Sequence, residues 1–162
     1  MPITISDVTD AYNAIRNAYY QAFVDKTGAG LAFEGLAVEK YQNPHRGFVT
    51  PGITIEFVPG ASHQYGIGEH REWNATVRVH LIFKENHVKV VEGGVKYYRD
   101  EAAEWYLLRV LDVLEETSFG AAVNETGRNV TGVVHNEEME GTNLFLWGCI
   151  AEANVSFGGG VA

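Results

Sequence analysis

Residues 73–83, Trp-Asn-Ala-Thr-Val-Arg-Val-His-Leu-Ile-Phe, alternate between apolar and polar side chains. Successive side chains of a strand point to opposite faces of a sheet, so this alternation predicts a half-buried strand. The odd-numbered positions are apolar throughout, and the even-numbered positions from Asn74 to His80 are polar. We expect the apolar face to meet helices, and the polar face to meet solvent or a neighbouring subunit.

Two amphipathic helices flank this strand in the sequence. The first is predicted from an apolar stripe at spacings of three and four between Val8 and Phe23. The second is predicted over about 96–116, where Tyr98, Trp105 and Leu108 belong to the same kind of repeat. Both stripes need an apolar surface to pack on, and a sheet is the simplest one.

Further strands are predicted before and after the second helix. Ile53–Phe57 alternates like 73–83, and a short strand is expected near 36–41. Val130–His135 and Asn143–Phe157 are separated by a polar connection and predict an antiparallel hairpin. Within it, Leu144–Ala151 is continuously apolar, which is typical of a strand covered on both faces. Helices can cover one face, and a partner or a second copy the other.

The order of these elements predicts one α+β domain over residues 1–162. The sheet is expected to be mostly antiparallel, with two helices packed on one face. Residues 59–72 carry three glycines and predict a long β-hairpin loop that projects from the sheet. The glycine-rich end, about 158–162, is expected to be flexible.

Composition limits the classes of function. The chain has 162 residues, a 46% hydrophobic fraction and a formal net charge of −9, which indicates a globular protein without the basic patch of a nucleic-acid binder. The single cysteine, Cys149, excludes an intramolecular disulfide and is expected in the core. No signal peptide is recognisable, and the longest apolar run is too short to span a bilayer. We therefore expect an intracellular protein without a membrane partner.

Two groups of side chains are candidates for chemistry. His63, Glu69 and His70 are zinc-ligand types, but their spacing matches no known motif and their loop is glycine-rich, so we predict no metal site. Arg78 and His80 share the polar face of one strand, and Glu56 is expected on the neighbouring one. Such a set can serve a small hydrolytic or isomerase site. Cross-strand ion pairing explains the same pattern.

The element order resembles the tail terminator and tail-completion proteins of long-tailed bacteriophages. The resembling segments are Val8–Phe23, Ile53–Val58, the 73–83 strand with its Arg78-x-His80 face, and Tyr98–Leu114. The resemblance implies a non-enzymatic virion protein of the tail or neck, without cofactors, assembled in the host cytoplasm.

The resemblance also implies partners. Such proteins form a ring, typically a homohexamer, that caps the tail tube and joins it to the head. The implied partners are further copies of the chain, the tail tube protein and the head–tail connector protein. DNA would pass through the channel without specific binding, since an acidic ring repels phosphate.

The expected subunit and partner contacts lie on the hairpin loop, on the polar face of the 73–83 strand and along the last strand. A head-to-tail interface would close the ring. The alternatives are a small-molecule binding or catalytic domain, with an aromatic pocket and Glu56, Arg78 and His80 as its polar groups, and an adaptor domain without enzymatic function. The predicted interface residues are His63, Tyr65, Glu69, His70, Arg71, Arg78, His80, Phe145, Trp147 and Phe157.

Overall fold

The structure, a computed structural model, describes residues 5–40, 51–64, 70–138 and 145–158. Within this part of the chain the fold is α+β, as predicted: two long helices, a five-stranded sheet and a small two-stranded sheet. A 3₁₀ turn, Glu92–Gly94, joins the two strands of the small sheet. The elements are α1 Ile5–Val24, β1 Ala37–Glu39, β2 Gly52–Gln64, β3 His70–Lys84, β4 Lys89–Val90, β5 Lys96–Tyr97, α2 Arg99–Glu116, β6 Glu125–Glu138 and β7 Phe145–Phe157.

The large sheet has the strand order β1-β2-β3-β7-β6. Only the β1–β2 pair is parallel, and it spans three residues of each strand. The β2–β3, β3–β7 and β6–β7 pairs are antiparallel and long. The sheet is therefore mostly antiparallel, as the sequence predicts, and β3 lies at its centre.

The alternation in β3 separates a closed face of the sheet from an open one. Five odd-numbered side chains of β3, Ala75, Val77, Val79, Leu81 and Phe83, have no solvent exposure. Both helices cover this face, α1 over β1, β2 and β3 and α2 over β6 and β7. At the α1 side, Tyr12 packs edge-on against Phe57 and Phe157, with ring centroids 5.9 and 5.4 Å away. The core thus lies between the two helices and one face of the sheet.

Two donors tie the end of α2 to α1 and to β6. The Tyr19 hydroxyl donates to the Leu114 carbonyl at 2.7 Å. The Arg128 guanidinium donates to the same carbonyl at 2.9 Å and to that of Glu115 at 3.0 Å. A cation at a helix C-terminus also favours the helix dipole. Glu125 completes the group by pairing with Arg128 at 2.6 Å.

The hairpin between β2 and β3 contains more strand than the sequence predicts. Residues 59–64 and 70–72 belong to the strands, and Gln64 is registered with His70. Pairing of β3 with β7 begins only at Trp73, so the last residues of this hairpin extend past β7 as a two-stranded ribbon. Glycine, serine and histidine give a weak strand signal, which explains the expectation of a loop. Residues 65–69 lie outside the described part.

Two element ends also differ from the expectation. The second helix begins at Arg99 because Lys96 and Tyr97 pair with β4 instead. After β7, the N–H of Gly158 donates to the Asn124 carbonyl at 2.7 Å, so this first residue of the end predicted to be flexible is bonded to the segment before β6. The remaining part of the end predicted to be flexible, 159–162, lies outside the described residues.

Gly148 in β7 offers a test of how closely β3 and β7 approach. A Cβ at this position would lie 1.8 Å from the Leu81 carbonyl oxygen, which is backbone and cannot rotate away. We expect Gly148→Ala to lower the free energy of unfolding by about 3 kcal/mol, at the upper end of overpacking effects. The control is Gly127→Ala in β6, where a Cβ meets nothing within 4 Å. Urea denaturation followed by circular dichroism measures both, and equal small losses would contradict the close approach.

Candidate functional site

The candidate site is the face of the sheet opposite the helices, which we call the open face. Residues directly opposite each other in the antiparallel registers share a face, so the even-numbered residues of β2, β3 and β7 and the odd-numbered residues of β6 point to it. Its central members are Glu56, Val58, Thr76, Arg78, His80, Ile82, Val133, His135, Ile150 and Glu152.

Three charged side chains form a row across the middle of the open face. Arg78 lies between two carboxylates because Glu56 and Glu152 are its registered partners on β2 and β7. Its Nη1 is 3.2 Å from Glu56 Oε2, and its Nε is 3.2 Å from Glu152 Oε2. The hydrogen bond to Glu152 is the main cause that raises the pKa of Arg78. The guanidinium of Arg78 is therefore paired within the row, and the three side chains together carry one net negative charge.

A shallow hollow lies beside this row, where Gly148 contributes no side chain. It has a volume of about 110 Å³, and its lining includes His80, Ile82, His135 and Ile150. Ligand pockets usually measure about 300–1,000 Å³, so this hollow is small for a substrate site. Two histidines beside apolar side chains give it a mixed surface that suits a side chain from another protein.

His80 is a titratable group at the hollow whose pKa is shifted by its surroundings. Burial is the main cause that lowers the pKa of His80, and Arg78 and His135 act in the same direction. The Glu56 carboxylate opposes them. The His80 imidazole is consequently held neutral at pH 7.

The structure separates the predicted interface residues into different surroundings. Arg78 and His80 share the open face, as the alternation predicts, whereas Trp147 lies half-buried on the helix side. Phe145 is 41% exposed, but Phe157 is only 2% exposed and belongs to the core. In the single chain Phe157 therefore contacts Tyr12 and offers little surface to a partner.

Three other predicted residues, His63, His70 and Arg71, lie near the described end of the β2–β3 hairpin. The register places His63 opposite Arg71 and ends with His70 opposite Gln64. Tyr65 and Glu69 lie outside the described residues. Among the described residues, no group of three or more His, Cys, Asp or Glu is arranged to hold a metal ion.

Tyr106, an aromatic residue that could line a pocket, is a core side chain. Tyr106 is fully buried and contacts Phe33, Phe83 and Trp105. Its hydroxyl lies 2.8 Å from Nε2 of His87. Cys149 is also buried, and burial raises the pKa of its thiol to about 12, so it is a poor nucleophile.

Lys89, which the sequence does not single out, is a buried cation on the helix side. Its Nζ donates to the Ala32 carbonyl at 2.9 Å and lies 4.5 Å from the centre of the Trp105 ring. Burial lowers the pKa of Lys89. Its contacts hold the segment after α1 against α2, which is a structural role.

Two exposed valines at the edges of the open face were also missed by the sequence analysis. Val58 on β2 is 46% exposed, and Val133 on β6 is 60% exposed. Among the described residues, no strand pairs with the outer edge of β6. The adjacent valines Val133 and Val134 in the predicted strand Val130–His135 are the signal that could have identified this edge.

No family model matches the sequence, and no curated protein matches it either. In the described part of the chain, neither helix is long and apolar enough to cross a membrane.

The charged row predicts a modest loss of stability when its cation is removed. Arg78→Gln leaves Glu56 and Glu152 without the cation between them and is expected to lower the free energy of unfolding by about 1 kcal/mol, since all three side chains are partly exposed. The control is Arg109→Gln, which removes a single exposed pair with Asp112 on α2. Urea denaturation at low and high salt measures both losses. Equal losses in the free energy of unfolding would contradict the view that Arg78, held by two carboxylates, contributes more than a cation in a single exposed pair.

The environment of His80 predicts a pH dependence of stability. Because the pKa of His80 is lowered by folding, the unfolded chain binds the proton more readily, and stability falls as the pH drops below about 6.5. His80→Asn should therefore lose less stability than the unchanged protein between pH 7.5 and 5.5, measured as the shift in urea midpoint. The pH dependence of His87→Asn is measured alongside it, because burial also lowers the pKa of His87. An unchanged pH dependence in His80→Asn would contradict this assignment.

Proposed function

We propose that the chain is a structural virion protein, a subunit of a ring that caps the tail tube of a long-tailed bacteriophage. The observation that carries the proposal is the asymmetry of the sheet. Both helices fill one face, while the other face presents internally paired charges and partly exposed apolar side chains on β2 and β6. The resemblance in element order points to the same class of protein.

The sheet offers two different surfaces at its opposite sides, which suits a ring. A head-to-tail contact joins unlike surfaces, and it closes into a ring when the rotation between copies fits. β6 forms one side, and β2 extends past the short β1 on the other. Such a ring would typically contain six copies.

The proposed partners follow from the position of the ring. The tail tube protein would bind one side of it and the head–tail connector protein the other, and the β2–β3 ribbon is long enough to reach a neighbour. The net charge of −9 suits a channel through which DNA passes without being bound, because like charges repel. Assembly would take place in the host cytoplasm, and the product belongs to the tail or neck of the virion.

The contacts of the open face favour this function over a catalytic one. Arg78 is engaged by two carboxylates, and the adjacent hollow of about 110 Å³ is too small for most substrates. The charged row therefore suits a protein surface better than a reaction centre.

Assembly on tail tubes tests the proposal. The chain is mixed with the tail tube protein encoded beside it, and tube ends are examined by electron microscopy while masses are measured by light scattering. We expect rings at tube ends and a limit on tube length. Arg109→Gln, a change on the outer side of α2, is the control expected to assemble normally.

Two results would contradict the proposal. One is a chain that neither forms a higher-order species nor binds tube ends. The other is a measurable turnover of a small substrate that is lost in Arg78→Gln and His80→Asn, since it would assign the open face to catalysis.

A further inference from the structure

The two exposed valines lie on the same face of the sheet but at its opposite sides. Val58 belongs to β2, where pairing with β1 ends at Thr54, so the outer edge of β2 is not covered by β1 from Ile55 onward. Val133 belongs to β6, the last strand on the other side. Single exposed valines are ordinary. Their positions on the same face, at β6 and at the part of β2 beyond β1, suggest that they meet in an assembly.

The direction of the strands is compatible with this meeting along the part of β2 that β1 does not cover. Each neighbour in the series β2, β3, β7 and β6 is antiparallel to the one before it, so β6 runs opposite to β2. All copies in a head-to-tail ring keep the same orientation relative to the ring axis. The β6 strand of one copy would therefore meet β2 of the next in the antiparallel sense.

We propose that the copies join by antiparallel pairing of β6 with β2 of the next copy, with Val133 opposite Val58. This inference rests on the proposed ring function and names the surface that builds the ring. The same register places Val134 opposite Phe57 on the helix side and His135 opposite Glu56 on the open face. The first pair adds apolar contact, and the second places an imidazole beside a carboxylate.

The backbone is compatible with this register from Ile55 of β2 onward. Glu137 and Glu138 of β6 would fall opposite Thr54 and Ile53, which β1 already pairs with, so the end of β6 must leave the ladder there.

Proline has no N–H to give to β3, so the nitrogen of Pro59 faces the outer edge of β2. In an antiparallel ladder, successive residues of a strand direct their N–H and C=O groups alternately to one neighbour and to the other. In the observed registers, the N–H and C=O of Phe57 therefore point away from β3, and those of Gly132 and Val134 point away from β7. Pro59 then lies opposite Gly132, and the absence of a side chain at Gly132 leaves room for the proline ring. Because proline has no N–H, one hydrogen bond of the ladder is not made.

The composition of β6 supports its role as a pairing edge. Residues 129–136, Asn-Val-Thr-Gly-Val-Val-His-Asn, contain no Lys, Arg, Asp, Glu or Pro. Natural proteins usually place such residues on long edge strands to prevent pairing with other chains. An edge without them is suited to accept a strand, and Pro59 on the other edge limits which strands fit.

Engineered cysteines test the pairing directly. In the proposed register Val58 and Val133 are a non-hydrogen-bonded pair, with Cα atoms about 4.5 Å apart, close enough for a disulfide. Cys149 is buried and its thiol pKa is raised to about 12, so it does not compete. The double variant Val58→Cys/Val133→Cys is oxidised mildly, both free at millimolar concentration and bound to tube ends. We expect a covalent ladder that ends at the ring size.

Single variants and a shifted pair provide the controls. Val58→Cys alone and Val133→Cys alone should stay uncrosslinked, because neither contains both sides of the contact. Val58→Cys/Asn129→Cys should also fail, since the exposed Asn129 lies four residues, or about 13 Å, along β6 from Val133. Circular dichroism checks that each variant is folded.

The outcomes separate this inference from the proposed function. Rings at tube ends without a Val58–Val133 cross-link would overturn the pairing and leave the ring function standing. Efficient dimers of Val133→Cys alone would also overturn it, because they would show β6 paired with itself. Cross-linked ladders without rings or tube binding would support the pairing and contradict the tail function. No cross-links under either condition would overturn the pairing.

Discussion

Burial of one face of β3 is the constraint on which the rest of the structure depends. Its five odd-numbered apolar side chains lose all contact with water, and a fully buried valine, leucine or phenylalanine contributes roughly 1.5–3 kcal/mol each. Because β3 pairs with β2 on one side and β7 on the other, its alternation also decides which residues of those strands face the helices. The same alternation places Arg78 and His80 on the side that the helices do not cover.

Because of this constraint, the two faces of the sheet differ: the helix side is packed within the chain, and the open face is available to a partner. On the helix side, Tyr19, Arg128 and Lys89 use their polar groups on backbone carbonyls within the chain. On the open face the charged row is satisfied across the strands, while apolar side chains remain partly exposed along the outer strands. A chain with this division can fold alone and still retain surfaces for neighbours, which is what a ring subunit requires.

The local patterns of the sequence predicted the two helices and the middle of each long strand, but not the small sheet or the full length of the β2–β3 hairpin. Alternation in 73–83 and the stripes of the helices predict β3, α1 and α2, and they predict that Glu56 faces Arg78. The second partner of Arg78, Glu152, is 74 residues away and depends on a pairing of β7 with β3 that no local pattern encodes. Phe157 was expected at an interface because aromatic residues are common there, whereas packing against Tyr12 from α1 buries it. That no strand among the described residues pairs with the outer edge of β6 likewise follows from the strand order and not from a local pattern.

Hydrogen exchange along β6 tests most directly whether this edge is reserved for another copy. In the free chain the outward amides of Gly132 and Val134 should exchange quickly, while the inward amides of Thr131 and Val133, bonded to β7, should exchange slowly. In the chain assembled on tail tubes the outward amides should become protected, with little change at the inward ones. Outward amides that stay fast after assembly, or that are already slow in the free chain, would contradict the account.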